Sequence, residues 1–183
     1  MHRRHRKKLP GLWLITDERV ADDALLAAAA RLPKGRAGIL FRHYRTDAVA
    51  RRRLFEALGG IARRRRLVLI LAGDMRDALA WKADGWHGRE VKRLRRGMIR
   101  SAPAHDVREV MASRCAGVDM VLLSPLFPTR SHPGAPALGR VRFAGLARRV
   151  DGAVMALGGV KAEHRWMLRG IGADGWAAID GLV

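Results

Sequence analysis

Short apolar runs recur along this chain, each separated from the next by a stretch that reads as helix or loop. The eight runs are Leu12 to Ile15, Gly38 to Phe41, Leu67 to Leu71, Gly85 to His87, Met98 to Arg100, Met120 to Leu123, Val154 to Leu157 and Gly175 to Ile179. Leu67-Val68-Leu69-Ile70-Leu71 is apolar at every position, as a parallel strand buried on both faces requires. The intervening stretches predict helices over 19–31, 47–62, 75–81, 90–96, 106–116, 140–149 and 161–169. Pro33 and Gly35 stop the first, and Asp106 is placed to cap the one at 106–116. Eight strands alternating with helices, joined by right-handed crossovers, close into a (β/α)8 TIM barrel. In 183 residues that barrel is compact, with its last helix missing or truncated. An internal echo supports the reading: Ala83-Asp84-Gly85-Trp86 and Ala173-Asp174-Gly175-Trp176 each lead into a strand, as two half-barrels would. The rival, an open doubly wound sheet, would carry a glycine-rich phosphate turn after the first strand, and none is present there.

The division expected is a basic tail over 1–10 and one barrel domain over 11–183. Hydrophobic residues make up 49% of the chain, enough for a buried core. A single cysteine, Cys115, excludes an internal disulfide and a cysteine metal cage. No apolar run approaches the ~20 residues that span a bilayer, and no apolar signal core follows the basic start. The expectation is a cytoplasmic protein without a membrane partner. The 36 Lys and Arg residues exceed the 17 Asp and Glu by 19, which favours an anionic partner. The arginine runs at 51–53, 63–66 and 93–96 are not interleaved with aromatics. That argues against a single-strand stacking platform, so nucleic acid is not the expected partner.

Barrels of this kind carry their chemistry on the loops that follow the strands. That rule selects Arg42, His43 and Tyr44 after the second strand and Asp74 after the third. It selects His87, Arg89 and Glu90 after the fourth and Ser101 after the fifth. The long loop from Ser124 to Gly139 follows the sixth, with Thr129, Arg130, Ser131 and His132 among three prolines. Gly158-Gly159 follows the seventh, and Ile179 and Asp180 the eighth. A glycine pair before a helix exposes backbone N–H groups to a phosphate, or is simply a tight turn. Hydroxyls and cations on a proline-stiffened loop suit a phosphate or pyrophosphate. Asp74 could hold Mg2+ through a carboxylate oxygen or cap the next helix; on its own residues, capping is the stronger reading. His87 and His105 stand without a partner at metal-ligand spacing, so packing or capping is expected for each.

These segments taken together resemble the thiamine phosphate synthase family and its thiazole tautomerase branch. Leu14-Ile15-Thr16-Asp17 is similar to the family's opening strand, and Leu40 to Tyr44 falls where it has Gln-Leu-Arg-Glu-Lys. Ala83 to His87 resembles Ala-Asp-Gly-Val-His. Ser124 to His132 resembles Gly-Pro-Val-Phe-Pro-Thr-x-Thr-Lys. Ala156 to Val160 resembles Ala-Ile-Gly-Gly-Ile, and Gly172 to Ile179 resembles the closing Gly-Ala-Asp-Gly-Val-Ala-Val-Ile. The resemblance implies a barrel that joins hydroxymethylpyrimidine diphosphate to thiazole phosphate with Mg2+, releasing pyrophosphate. It implies that Arg42 and Ser101 hold the pyrimidine diphosphate, Asp74 the metal, and Thr129, Ser131 and His132 the thiazole substrate. Gly158, Gly159 and Ile179 would take the thiazole phosphate. Leu40, Tyr44, Gly73, Val91 and Asp180 depart from the family pattern, and most of these departures fall on the diphosphate and metal half. Two alternatives stand beside it: a tautomerase-like or binding-only relative that holds thiazole phosphate without metal, and, from the basic composition, a non-enzymatic nucleic-acid-binding barrel. A homodimer is a further expectation, since a missing eighth helix would leave apolar surface to cover.

Overall fold

Eight parallel strands pair in sequence order and the eighth returns to the first, which closes a barrel. The computed structural model describes residues 9–89, 97–129, 136–179 and 182. The strands are β1 Leu12–Ile15, β2 Ala37–Phe41, β3 Val68–Ala72, β4 Gly85–His87, β5 Ile99–Ala104, β6 Met120–Leu123, β7 Ala153–Ala156 and β8 Gly175–Ala178. Around them lie α1 Asp22–Arg31, α2 Ala48–Arg65, α3 Met75–Ala80, α4 Val107–Ala116, α5 Gly139–Ala147 and α6 Arg165–Gly170. The expected (β/α)8 architecture is therefore present, and no α-helix follows β8 among the described residues. The helix expected over 90–96 lies outside the described residues.

Local chemistry explains the helix limits. Asp47 accepts from the Val49 and Ala50 N–H groups to start α2, which ends where Arg66 turns left-handed. Asp106 accepts from Glu109 N–H to start α4, and left-handed Gly117 ends it. Three N-terminal residues of the expected first helix, 19–21, stay outside α1 because Asp17 and Glu18 hold the turn there in other bonds.

Alternation along each strand divides the side chains into two sets. Trp13, Ile15, Leu40, Ile70, Ala72, Ile99, Met120, Leu122, Ala153, Met155, Ala177 and Ile179 fill the barrel. The other set, including Leu14, Phe41, Leu71, Trp86, Val121 and Trp176, packs beneath the helices. At the amino-terminal end of the barrel, here the floor, the fully buried Trp13 indole lies where a Cβ on Gly38 would fall, and its Nε1 donates to Pro10 O at 2.8 Å. Leu9 packs against the same interior cluster.

The echo before β4 and β8 has a structural purpose that extends to β6. Asp84, Asp119 and Asp174 each stand just before an even-numbered strand. Each accepts from the N–H of a residue on the preceding strand: Leu69 at 2.8 Å, Arg100 at 2.9 Å and Val154 at 2.8 Å. Each also donates its own N–H to that residue's carbonyl. The aspartates thus fix strand register on the floor with charge-assisted bonds.

Most strands lie within a residue of their expected ends, and one differs by more. β5 runs to Ala104, beyond the expected Arg100, because Ser101 to Ala104 pair with Met120 to Leu123. Ser101 is consequently inside the strand and inside the barrel, not on the loop after it.

Candidate active site

The carboxyl ends of the strands form the mouth. On β1 the inward series Trp13, Ile15 continues to Asp17, and on β2 the series through Leu40 continues to Arg42. The two meet: Arg42 Nη2 donates to Asp17 Oδ2 at 3.1 Å. Arg19 grips the same carboxylate with Nε at 2.7 Å and Nη2 at 3.1 Å. These bonds, Arg19's side chain foremost, hold the Asp17 carboxyl at about 2 against burial. The Arg42 backbone N–H donates to Thr16 Oγ1 at 2.8 Å. Arg42 is thus placed at the rim of the mouth, as expected of it, with a quarter of its side chain still open to solvent.

Deeper in the barrel, β4 and β5 place His87 opposite Ser101. His87 Nδ1 lies 2.8 Å from Ser101 Oγ, and both residues are buried. Burial first, and the Arg42 charge second, push the His87 imidazole down to about 4. At neutral pH the ring is uncharged. The expected packing role is fulfilled, yet the pair also presents two hydrogen-bonding groups to the barrel interior. His105 instead bonds Glu109 at 2.7 Å ahead of α4.

The other histidine near the mouth turns away. His43 stacks on Phe41, ring centroids 4.7 Å apart, in the layer beneath the helices. Burial lowers its basicity. Tyr44 is exposed. Glu18 secures this loop by accepting from the Arg45 and Thr46 N–H groups.

On the opposite rim the loop after β6 lies over the glycine pair after β7. Ser124-Pro125 is cis. Leu126 N–H donates to Leu157 O at 2.8 Å, and Phe127 N–H to Gly158 O at 3.0 Å. Gly158 and Gly159 have positive φ, 90° and 62°. A Cβ on Gly158 would fall 2.6 Å from Pro125 Cβ, and one on Gly159 2.5 Å from Pro128 O. The pair is therefore glycine for two reasons: left-handed backbone and the close approach of the β6 loop. Ile179 is buried in the barrel interior beyond β8. Thr129, half-buried, ends the described part of the β6 loop. Ser131 and His132 lie outside the described residues, as do Glu90, Val91, Arg130 and Asp180.

Asp74 caps α3, one carboxylate oxygen accepting from Arg76 N–H at 2.7 Å. Arg51 Nη2 bonds Ala72 O at 2.8 Å and would lie 3.2 Å from a Cβ on Gly73. No group of three or more His, Cys, Asp or Glu residues suited to a metal occurs among the described residues. The capping expected of Asp74 is thus present, and its carboxylate stays exposed.

One site residue and one pairing escaped the sequence reading. Asp17 was visible only through period-two counting from Trp13, and its partnership with Arg42 crosses 25 residues. His87 and Ser101 were each noted, but their pairing needed the register of β4 on β5.

Fold and mouth together define a (β/α)8-barrel protein with an arginine-bearing, polar C-terminal mouth. The family model described as thiamine monophosphate synthase matches residues 12–182. The chain belongs to that family. A bifunctional thiamine biosynthesis protein of Geobacter sulfurreducens is 29% identical over 98% of this chain, which spans 38% of that protein's length. A thiamine-phosphate synthase of Chromobacterium violaceum is 31% identical over 96% of this chain and 89% of its own. Among solved structures, thiamine phosphate pyrophosphorylase from Pyrococcus furiosus superposes with a TM-score of 0.78 at 23% identity, covering 95% of this chain and 87% of that one. Among the described residues no helix is long and apolar enough to cross a membrane.

Proposed function

We propose that this chain works in thiamine biosynthesis as a transferase of the thiamine phosphate synthase type, joining hydroxymethylpyrimidine diphosphate to thiazole phosphate. The observation that carries the reading is the pairing of opposite rims. Arg42, held by Asp17, faces a mouth whose far side is the left-handed Gly158-Gly159 turn under the cis-proline loop. In this family's barrel that arrangement suits two phosphorylated substrates meeting across the mouth.

In the reaction the bond between the pyrimidine methylene carbon and the diphosphate oxygen breaks, and its electron pair leaves with pyrophosphate. The thiazole nitrogen supplies the pair that forms the new carbon–nitrogen bond. No proton need move. The work left to the protein is to hold charge and exclude water. Arg42 offers a guanidinium fork to the diphosphate. Ser101 offers a hydroxyl, and neutral His87 sets its direction. With the Nδ1 proton aimed at Ser101 Oγ, the serine keeps its own proton for an anionic oxygen. The Gly158 and Gly159 N–H groups and the backbone at Ile179 take the thiazole phosphate, while Thr129, Ser131 and His132 contact the thiazole. Asp74, with its exposed carboxylate, would hold Mg2+ together with the diphosphate, and the ion would there neutralise charge on the leaving pyrophosphate.

The departures at Leu40, Tyr44 and Gly73 favour a second reading: a tautomerase-like or binding-only relative that holds thiazole phosphate and has given up the metal-dependent diphosphate half. Calorimetric titration of each substrate, with and without Mg2+, separates the two. The synthase reading expects both substrates to bind and thiamine phosphate to form when they are mixed. Binding of thiazole phosphate alone, indifferent to EDTA, moves the assignment to the second reading. Binding of neither overturns both.

A further inference from the structure

The floor of the barrel carries a feature the mouth does not use. The loop after α1 and the end of α2 meet beside the starts of β2 and β3. Gly35 N–H donates to Arg65 O at 2.9 Å. Arg65 reaches back to Leu32 O with Nε at 3.1 Å and Nη2 at 2.7 Å. This clasp gathers Arg31, Lys34, Arg36, Arg63, Arg64 and Arg66 on one corner, all exposed. Neither segment, 31–36 or 63–66, contains an acidic residue.

Some arginines elsewhere find carboxylates: Arg19 and Arg42 on Asp17, Arg51 on Asp77, Arg52 on Glu56, Arg89 on Glu109 and Arg114 on Asp151; Arg148 and Arg149 bond backbone carbonyls instead. The six corner cations form no ion pair with a described residue. Acids on the same elements are elsewhere: Asp22 and Asp23 start α1 at its other end, and Glu56 is paired with Arg52. Asp84, on the floor, is committed to Leu69 N–H. Six unpaired like charges on one corner repel one another, and an anion relieves that repulsion.

We propose that this corner is a docking surface for a double-stranded phosphodiester chain, read through its backbone and not its bases. Guanidinium forks match phosphate oxygens. No aromatic side chain lies in either segment to stack on an unpaired base. The exposed large apolar residues, Tyr44, Val49, Leu79, Val107, Met111, Val141 and Trp166, all lie outside these two segments. A membrane-inserting surface would need them here. The site is opposite the mouth, so docking and chemistry do not compete for the same residues.

The test uses the full chain and a mixed-sequence 20-base-pair DNA duplex followed by fluorescence anisotropy across a salt series. Neutralising three to six phosphates gives a log–log salt slope of roughly −3 to −5. Arg63→Glu/Arg64→Glu is expected to weaken binding at least tenfold at low salt. Arg108→Glu/Arg142→Glu changes net charge equally on exposed positions of α4 and α5 and is expected to weaken it less than threefold. Circular dichroism checks that both variants fold, and Arg31→Glu/Arg36→Glu serves if the first does not. Equal loss in the two double variants would overturn the proposal, since total charge would then explain binding. So would absence of a salt-sensitive complex, or a preference for phosphatidylglycerol vesicles over duplex.

Discussion

Replacing Gly158 by alanine tests the packing of the two mouth loops against each other. Its backbone sits at φ 90°, a region that costs an L-residue roughly 1–2 kcal/mol. The added methyl would lie 2.6 Å from Pro125 Cβ and 2.8 Å from Pro125 Cα. Neither atom is the end of a flexible side chain, so overpacking adds about 1–3 kcal/mol. The total is roughly 2–5 kcal/mol, and at ~2–4 °C per kcal/mol for a domain of this size the melting temperature falls by about 10 °C. Gly35→Ala is the matched control. Its φ is 69° and a Cβ there meets nothing within 4 Å, so only the backbone cost of roughly 1–2 kcal/mol remains. Thermal unfolding of both variants beside the parent, followed by circular dichroism, reads the difference. Thiazole phosphate titration then tests whether the loop displacement reaches the site, and Gly158→Ala is expected to lose binding while Gly35→Ala keeps it. If the two variants melt together, the contact between the β6 loop and the glycine pair contributes nothing and the reasoning fails.

Other outcomes follow from the same geometry. Because burial lowers His87 from 6.5 to about 4, the unfolded chain binds a proton there more readily than the folded one. That contribution, of order 3 kcal/mol, is fully present above pH 6.5 and is lost as pH falls toward 4. Urea unfolding across that range should show the slope in the parent and a flatter profile in His87→Gln; identical profiles would contradict it. Asp84→Ala leaves Leu69 N–H without its carboxylate and is expected to cost about 1–3 kcal/mol, read by denaturant midpoint. Asp23→Ala, which loses only an exposed bond to Ala24 N–H, should stay within ~0.5 kcal/mol. Asp74→Asn keeps the α3 cap and should preserve stability, whereas Asp74→Ala loses about 1 kcal/mol; equal melting of the two would count against the cap.

The barrel was legible because each strand is a short apolar run, and eight such runs in alternation leave few topologies. Length was harder to read. β5 contains Ser101, Pro103 and alanines, so its apolar signal fades after Ile99, and only pairing with Met120 to Leu123 keeps it extended. The Asp-Gly-Trp echo was visible before β4 and β8. Its third member, Asp119, was not, because Met120 stands where the others have glycine, and the shared element is the aspartate clamp alone. In the site, strand-end position correctly sent Arg42 to the mouth. Its anchor, Asp17, came from alternation on a different strand. The turn of His43 away from the mouth onto Phe41 could not be read from its place beside Arg42, since adjacent residues at a strand end face opposite sides. Asp74 caps α3, as its place just ahead of that helix suggested.

The central claim is that substrates meet across the mouth and are joined there. The direct measurement is thiamine phosphate and pyrophosphate formation from hydroxymethylpyrimidine diphosphate and thiazole phosphate, quantified together for the parent chain and for Arg42→Ala. The account predicts both products in equal amounts from the parent and at least tenfold less from Arg42→Ala at unchanged fold. No product from a folded parent that still binds thiazole phosphate would contradict it.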